Sequence, residues 1–186
     1  YGELWSARLL AAILQHRDAR RGGHWIDARD VLVVSHTELG PAVLWDRSSA
    51  NFKKCIADGF EGIAVITGFI ASDEDGLQTT LGRNGSDYSA AIFAALSDAS
   101  LLTIWTDVDG IMSADPNRVP DAQIIDLMSY SEAMELAYFG ASVIHPQTLG
   151  PVIENGSPLV IRNSFNAAHP GSRIERVTDS TDNVKG

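Results

Sequence analysis

Apolar residues recur at helical spacing from the start of the chain. Leu4, Ala7, Leu10, Ala11 and Leu14 lie three or four apart, which predicts a helix over residues 3–17. His24-Trp25-Ile26 and Val31-Leu32-Val33-Val34 have the composition of short strands. Ser35–Arg47 shows no period and reads as irregular, and residues 48–58 read as a helix ending near Gly59. Gly62-Ile63-Ala64-Val65-Ile66-Thr67 is a continuous β-branched run, the pattern of a buried strand. The polar cluster Ser72-Asp73-Glu74-Asp75-Gly76 divides Phe69–Leu81 into a hairpin.

In the second half, Tyr88, Ala91, Ile92, Ala95, Leu96 and Ala99 predict a helix over 86–98. Ser86 is its expected N-cap, with Asp87 in the first turn. A strand Leu101–Thr106 follows, then a turn Thr106–Gly110 and a loop over 114–122. Ser129 and Glu132 have the spacing of a capping box for a helix running to Phe139, with Gly140 as its stop. His145 reads as a capping or packing residue, Pro146 suits the first turn of another helix, and Pro151 is expected to kink it. Leu159-Val160-Ile161-Arg162 is a last core strand, and residues 178–186 read as a polar linker or tail. Strands alternating with helices predict an α/β fold, a three-layer sandwich around a mainly parallel sheet. Ligands of such sheets bind beyond the carboxyl ends of the strands. The loops Gly68-Phe69, Gly82–Asp87 and Thr106–Gly110 are expected there.

Composition narrows the function. The 186 residues carry a net charge of −10 without any Lys/Arg-rich run, which argues against nucleic acid and acidic membrane surfaces as partners. No apolar run reaches membrane-spanning length. Cys55 is the only cysteine, so no internal disulfide forms and a reducing, cytoplasmic setting fits. Cys55 itself reads as a packed small hydrophobe. Trp5, Trp25, Trp45 and Trp105 read as packing residues. The chain opens on Tyr1 directly in a helical pattern, and the expectation is a fragment.

Gly82-Arg83-Asn84-Gly85-Ser86-Asp87 is the segment richest in chemistry. A helix N-terminus has free N–H groups that attract anions, and a guanidinium fork matches a carboxylate or phosphate. There is no G-x-x-x-x-G-K-[ST] loop, no G-x-G-x-x-G after a strand, no metal-type Cys/His spacing and no G-x-S-x-G. Small-molecule recognition without a covalent nucleophile suits group transfer, where positioning and charge stabilisation carry catalysis.

The chain resembles the aspartate kinases of the amino-acid-kinase fold. The resemblance rests on Gly2-Glu3-Leu4-Trp5-Ser6-Ala7, Thr67-Gly68-Phe69-Ile70, Leu81–Tyr88, Trp105–Gly110, Ala114-Asp115-Pro116, Met128–Gly140, Val143-Ile144-His145-Pro146, Ile161–Phe165 and Pro170-Gly171-Ser172, in order over residues 2–177. Asn84, Trp105-Thr106-Asp107 and Met128-Ser129-Tyr130 look most like the kinase halves of bifunctional aspartokinase–homoserine dehydrogenases. Residues 1–177 would then be a partial catalytic domain whose first strand is missing. The resemblance implies phosphorylation of the β-carboxylate of L-aspartate by ATP, with Mg²⁺ bridging the phosphates and no metal ligand from the protein. The full-length protein would be a homo-oligomer.

Carried over by resemblance, Arg83 would hold a substrate carboxylate, with Ser86 and the Gly85 backbone cradling it. Asp87 and Glu3 would face the ammonium group, and Phe69 would wall the pocket. Arg83 and Asp87 are the implied catalytic residues. Thr106, Asp107, Met112, Asn117, Ser142 and Val143 would face the nucleotide. Three of these depart from the family pattern: Ser142 stands where many members have Lys, Met112 where Tyr is common and Asn117 where Arg is common. The family's opening Lys-Phe-Gly-Gly strand has no counterpart in the chain. The expectation is that residues 1–186 by themselves have little kinase activity. The alternatives are another amino-acid or nucleotide kinase of this fold, or a binding domain without catalysis.

Overall fold

The computed structural model describes residues 1–177 except 19, 39, 58, 116, 117 and 139–143. It divides into two compact units, Tyr1–Ser89 and a second from Ala90 onward.

The first unit opens with α1 (Gly2–Arg17), followed by β1 (Gly23–Ile26), a single turn α2 (Ala28–Val31), β2 (Val34–Thr37), β3 (Gly40–Val43), α3 (Trp45–Cys55), β4 (Ile63–Ile66), β5 (Ile70–Ser72) and β6 (Gln78–Thr80). β1 and β4 pair in parallel, with Gly23 opposite Ile63 and Ile26 opposite Ile66. Ala7 and Ala11 of α1 pack on Val65 of this pair, because small residues let a helix approach a sheet closely. Gly23 lies against Ala11 and Leu14, while Arg8 stacks 4.0 Å over the Trp25 ring. Helix numbering therefore falls as strand numbering rises. The N-terminal turn of α1 lies at the carboxyl end of β1, and Thr67 leaves β4 at that same end.

The stretch between residues 28 and 43 departs from expectation. The run Val31–Val34 is not one strand. Asp27 caps a helical turn by accepting from the Arg29 N–H at 3.0 Å, and its carboxylate also binds the Arg29 guanidinium. That pairing holds the Asp27 carboxyl below the usual carboxylate range. The region read as irregular is an antiparallel hairpin, β2–β3. α3 starts earlier than the pattern suggested and stops at Cys55, which is exposed, so it is not a packed hydrophobe. β4 is only partly buried, with Ile63 43% exposed, because β1 is its sole partner among the described strands. The β5–β6 hairpin matches its prediction. Asp73 accepts from the N–H groups of Asp75 and Leu77 and closes the turn.

Helix α4 (Gly85–Leu96) spans the division between the units. The second unit continues with β7 (Leu102–Thr106), β8 (Leu127–Ser129), α5 (Tyr130–Tyr138), α6 (Pro146–Asn155), β9 (Leu159–Asn163) and β10 (Ser172–Glu175). Its sheet has the order β7-β9-β10-β8 and is mixed: β7–β9 and β10–β8 are parallel, β9–β10 antiparallel. Ala91, Leu102, Ile104, Ile111, Leu149, Leu159, Ile161 and Ile174 form its core. β8 and β10 were not foreseen, because three- and four-residue strands carry too little period to read.

The capping box is present. The Glu132 carboxylate accepts from the Ser129 N–H at 2.7 Å, and the Ser129 hydroxyl accepts from the Glu132 N–H at 3.2 Å. The Ser129 hydroxyl also donates to that carboxylate, at 2.7 Å, and the bonds from the Ser129 N–H and hydroxyl hold Glu132 below its ordinary pKa. This contribution exists above the ordinary Glu range and is lost as pH falls through the lowered folded value. Ser129→Ala is expected to cost about 1 kcal/mol, read as the shift in a urea unfolding curve at pH 7. His145 caps α6, its Nδ1 accepting from the Gln147 N–H at 3.3 Å. α6 runs through Pro151 to Asn155. The helix stop at Gly140 and the tail over 178–186 lie outside the described residues.

Candidate substrate site

The predicted substrate residues fall in the first unit, and most of them meet around the start of α4. Gly82 has φ +75°, which a side chain disfavours, and Asn84 has φ +55°. The Gly85 N–H donates to the Gly82 carbonyl at 3.1 Å, and the Tyr88 N–H to the Asn84 carbonyl at 3.0 Å. The helix thus begins at Gly85. Ser86 is not its cap but, with Asp87, sits inside the first turn, where backbone N–H groups have no intrahelical acceptor.

Phe69 is set against this turn by an unusual backbone. Its φ is +70°, and the Ile70 N–H donates to the Gly68 carbonyl at 2.8 Å, the mark of a γ-turn centred on Phe69. Its carbonyl accepts from the Leu81 N–H at 2.9 Å. A Cβ on Gly85 would lie 2.7 Å from the Phe69 ring and 3.1 Å from Leu81 Cβ, so only glycine fits beneath that ring. A Cβ on Gly68 would lie 3.3 Å from Ser89 Oγ and in ordinary contact with Ser86, at 3.8 Å from its Cα. The segment Gly68-Phe69 and the segment Gly85-Ser86 are one packed unit.

Arg83 and Asp87 have opposite charges four residues apart and do not pair. Arg83 is exposed, and no described residue binds its guanidinium. Asp87 is half-buried, and among the described residues no donor or cation reaches its carboxylate. Burial without a partner pushes its pKa up, despite the favourable helix terminus. Glu3 is exposed in the first turn of α1 and shares the carboxyl end of β1 with Thr67, whose hydroxyl accepts from Trp25 Nε1 at 3.3 Å. Its side chain joins none of the Gly82–Asp87 groups by a hydrogen bond.

One of the three loops is misplaced by the sequence reading. Gly68-Phe69 follows β4 and Thr106–Gly110 follows β7, both parallel strands, but Gly82–Asp87 follows the antiparallel β6.

The predicted nucleotide residues belong to the second unit. Thr106 ends β7, and its hydroxyl donates to Asp107 Oδ1 at 3.2 Å. The Thr106 carbonyl accepts from both the N–H and the hydroxyl of Ser164, at 2.8 and 2.7 Å. Asp109 accepts from Asn163 and Asn166 at 2.8 and 3.1 Å. These bonds lock the loops at the carboxyl ends of β7 and β9 together. Met112 is half-buried in an isolated bridge with Ile124. Asn117, Ser142 and Val143 lie outside the described residues. Trp105 is 50% exposed with Arg162 stacked 4.9 Å over its ring, and Trp5 is 70% exposed, so neither is a packing residue. Among the described residues no three His, Cys, Asp or Glu side chains gather to hold a metal ion, and no helix is long and apolar enough to cross a membrane.

A profile described as the Amino acid kinase family matches residues 1–163. The chain belongs to the amino acid kinase family. Its similarity to curated members is strong. It is 46% identical over 188 residues to the chloroplastic bifunctional aspartokinase/homoserine dehydrogenase 1 of Arabidopsis thaliana, covering 100% of this chain and 20% of that relative. It is 51% identical over 125 residues to the Haemophilus influenzae bifunctional aspartokinase/homoserine dehydrogenase, covering 67% of this chain and 15% of that relative. The chain therefore spans about a fifth of the length of the curated relatives it matches. Among solved structures, aspartokinase III of E. coli in complex with aspartate and ADP superposes with a TM-score of 0.86 at 35% identity, covering 96% of this chain and 40% of that one. Carbamate kinase from Giardia lamblia, bound to AMP-PNP, shares the fold alone, at a TM-score of 0.60 and 13% identity.

Two features of this family member escaped the sequence reading. Ser89 and the Asp109–Asn163 bond both hold loops in place. The signal for Ser89 was present: a serine at 89 among buried helix positions 91–94 must find a partner.

Proposed function

We propose that the chain is part of the kinase half of a bifunctional aspartokinase–homoserine dehydrogenase, and that this half phosphorylates the β-carboxylate of L-aspartate with ATP to give 4-phospho-L-aspartate and ADP. Residues 1–177 are read as a portion of that catalytic domain. The supporting observation is the pair Arg83 and Asp87, opposite charges on one helix start that leave each other unpaired. An amino acid brings the complement of both: a carboxylate for the guanidinium fork and an ammonium for the half-buried carboxylate. Phe69 walls the pocket and Glu3 adds a second negative charge for the ammonium. The E. coli structure with aspartate and ADP supports the same substrate class.

A carboxylate is ionised at neutral pH, so the acceptor needs no general base. Its oxygen forms a bond to the γ-phosphorus as the bond to the ADP oxygen breaks. Thr106, Asp107 and Met112 are proposed to face the nucleotide, with Asn117, Ser142 and Val143. Mg²⁺ is proposed to arrive with ATP, held by phosphates and water, since it is usually bound with few protein carboxylates. A homo-oligomer and a cytoplasmic location complete the proposal, the latter supported by the single cysteine.

The test is ADP release and acyl-phosphate capture by hydroxylamine, using the intact protein with L-aspartate and with L-glutamate. Turnover with L-aspartate and at least tenfold less with L-glutamate is expected. No acyl phosphate from L-aspartate, or equal rates with both, overturns the reading.

A further inference from the structure

Phe69 holds a backbone conformation that L-residues avoid, and such strain persists only where surrounding bonds over-determine it. One side chain supplies that constraint. Ser89, 1% exposed on α4, accepts from the Phe69 N–H at 2.9 Å. Its own proton is shared between the Gly85 and Ser86 carbonyls, at 2.8 and 2.9 Å. Gly68 packs against the same oxygen, where a Cβ would sit a tight 3.3 Å from Ser89 Oγ. A single hydroxyl thus ties the γ-turn to the two residues that open the helix.

The Phe69 N–H cannot be satisfied by a neighbouring strand, because the turn takes it out of the β5–β6 ladder, whose pairs begin at Ile70 and Thr80. Ser89 is its acceptor. Without that acceptor, the N–H must turn toward water or remain unpaired, and either outcome lets the turn relax toward negative φ. The ring would then move off Gly85, and the first turn of α4 would lose its fixed cover.

We infer that Ser89 is a positioning residue of the amino-acid site: it acts through Phe69, Gly85 and Ser86 to hold the pocket wall and the Ser86-Asp87 turn in register. The inference rests on the proposed aspartate kinase reading. It predicts an effect on one substrate only, because the described bonds of Ser89 go to Phe69, Gly85 and Ser86, all on the amino-acid side of the proposal.

The experiment measures steady-state kinetics of the intact protein with Ser89→Ala, Ser89→Cys and Ser89→Thr, together with thermal melting. Ser89→Ala is expected to raise KM for L-aspartate about tenfold, with KM for ATP within twofold of the starting protein. Ser89→Thr, which keeps the oxygen, is expected to recover most of the loss. Ser89→Cys keeps the size with a weaker acceptor and is expected to fall between them, and it stands in for the alanine variant should that variant not fold. An unchanged KM for L-aspartate in the alanine or cysteine variant overturns the inference. So does an equal loss in the threonine variant, or a parallel rise in KM for ATP. Absence of aspartate phosphorylation in the unsubstituted protein would instead sink the functional reading itself.

Discussion

Asp87→Asn is expected to lower kcat/KM for L-aspartate about a hundredfold while raising the melting temperature at neutral pH. The two effects share one cause. Asp87 sits half-buried with no cation or donor on its carboxylate among the described residues, and burial raises its pKa. In the free protein the ionised form is therefore a cost. On the proposed reading a bound ammonium would remove that cost, and the charge that is costly in the free protein would attract the substrate. Asparagine keeps the shape, removes the cost and loses the attraction.

The pH dependence follows from the direction of the shift. A carboxyl whose folded pKa lies above its unfolded value is protonated more readily in the folded state. Its stabilising effect is full below the unfolded pKa and is lost as pH rises through the folded pKa. Asp87→Asn should therefore flatten the decline in stability above the ordinary Asp range, and saturating L-aspartate should do the same for the unsubstituted protein. Calorimetry from pH 4 to 8, with and without L-aspartate, measures both. A variant that loses activity and stability together would show that Asp87 is held by a partner in the folded state.

Arg83→Ala is expected to raise KM for L-aspartate about a hundredfold, with KM for ATP and the melting temperature little changed. The separation comes from exposure. Arg83 is exposed and binds no described group, so its removal takes no packing or hydrogen bond from the fold. What it offers is a rigid fork for a carboxylate. Arg83→Lys keeps the charge but not the fork, and should recover only part of the loss. Kinetics with L-aspartate varied at saturating ATP decide the matter. A fall in melting temperature of several degrees in Arg83→Ala would mean that the guanidinium serves the fold.

Several signals that need only neighbouring residues read correctly. The Ser129–Glu132 box needs only residues three apart, and both of its reciprocal bonds form. The Asp73 turn closes through its own neighbours, and His145 caps the helix that Pro146 opens. The helix over α1 follows its period. Errors cluster where a short run carries competing signals or where packing decides. Val31–Val34 has the composition of a strand, yet Asp27 and Arg29 draw its first residue into a helical turn. Cys55 and Trp105 have side chains that usually pack, and each lies exposed at the end of an element or on an open face of a strand. The Gly82–Asp87 chemistry was visible as residue types. The start of the helix at Gly85 was not, because Asn84 and Gly82 adopt positive φ that no spacing rule encodes.

The order of motifs in the sequence was enough to determine the family, and it named the residues proposed for the substrate at the α4 start. Residue identity alone carries charge, hydrogen-bonding capacity and helical period. Only the tertiary structure decided how those residues are held. The left-handed backbone of Phe69, the glycine beneath its ring and the Ser89 hydroxyl that joins them lie up to 20 residues apart. Such contacts depend on how β5, β6 and α4 pack, and packing is a property of the folded chain.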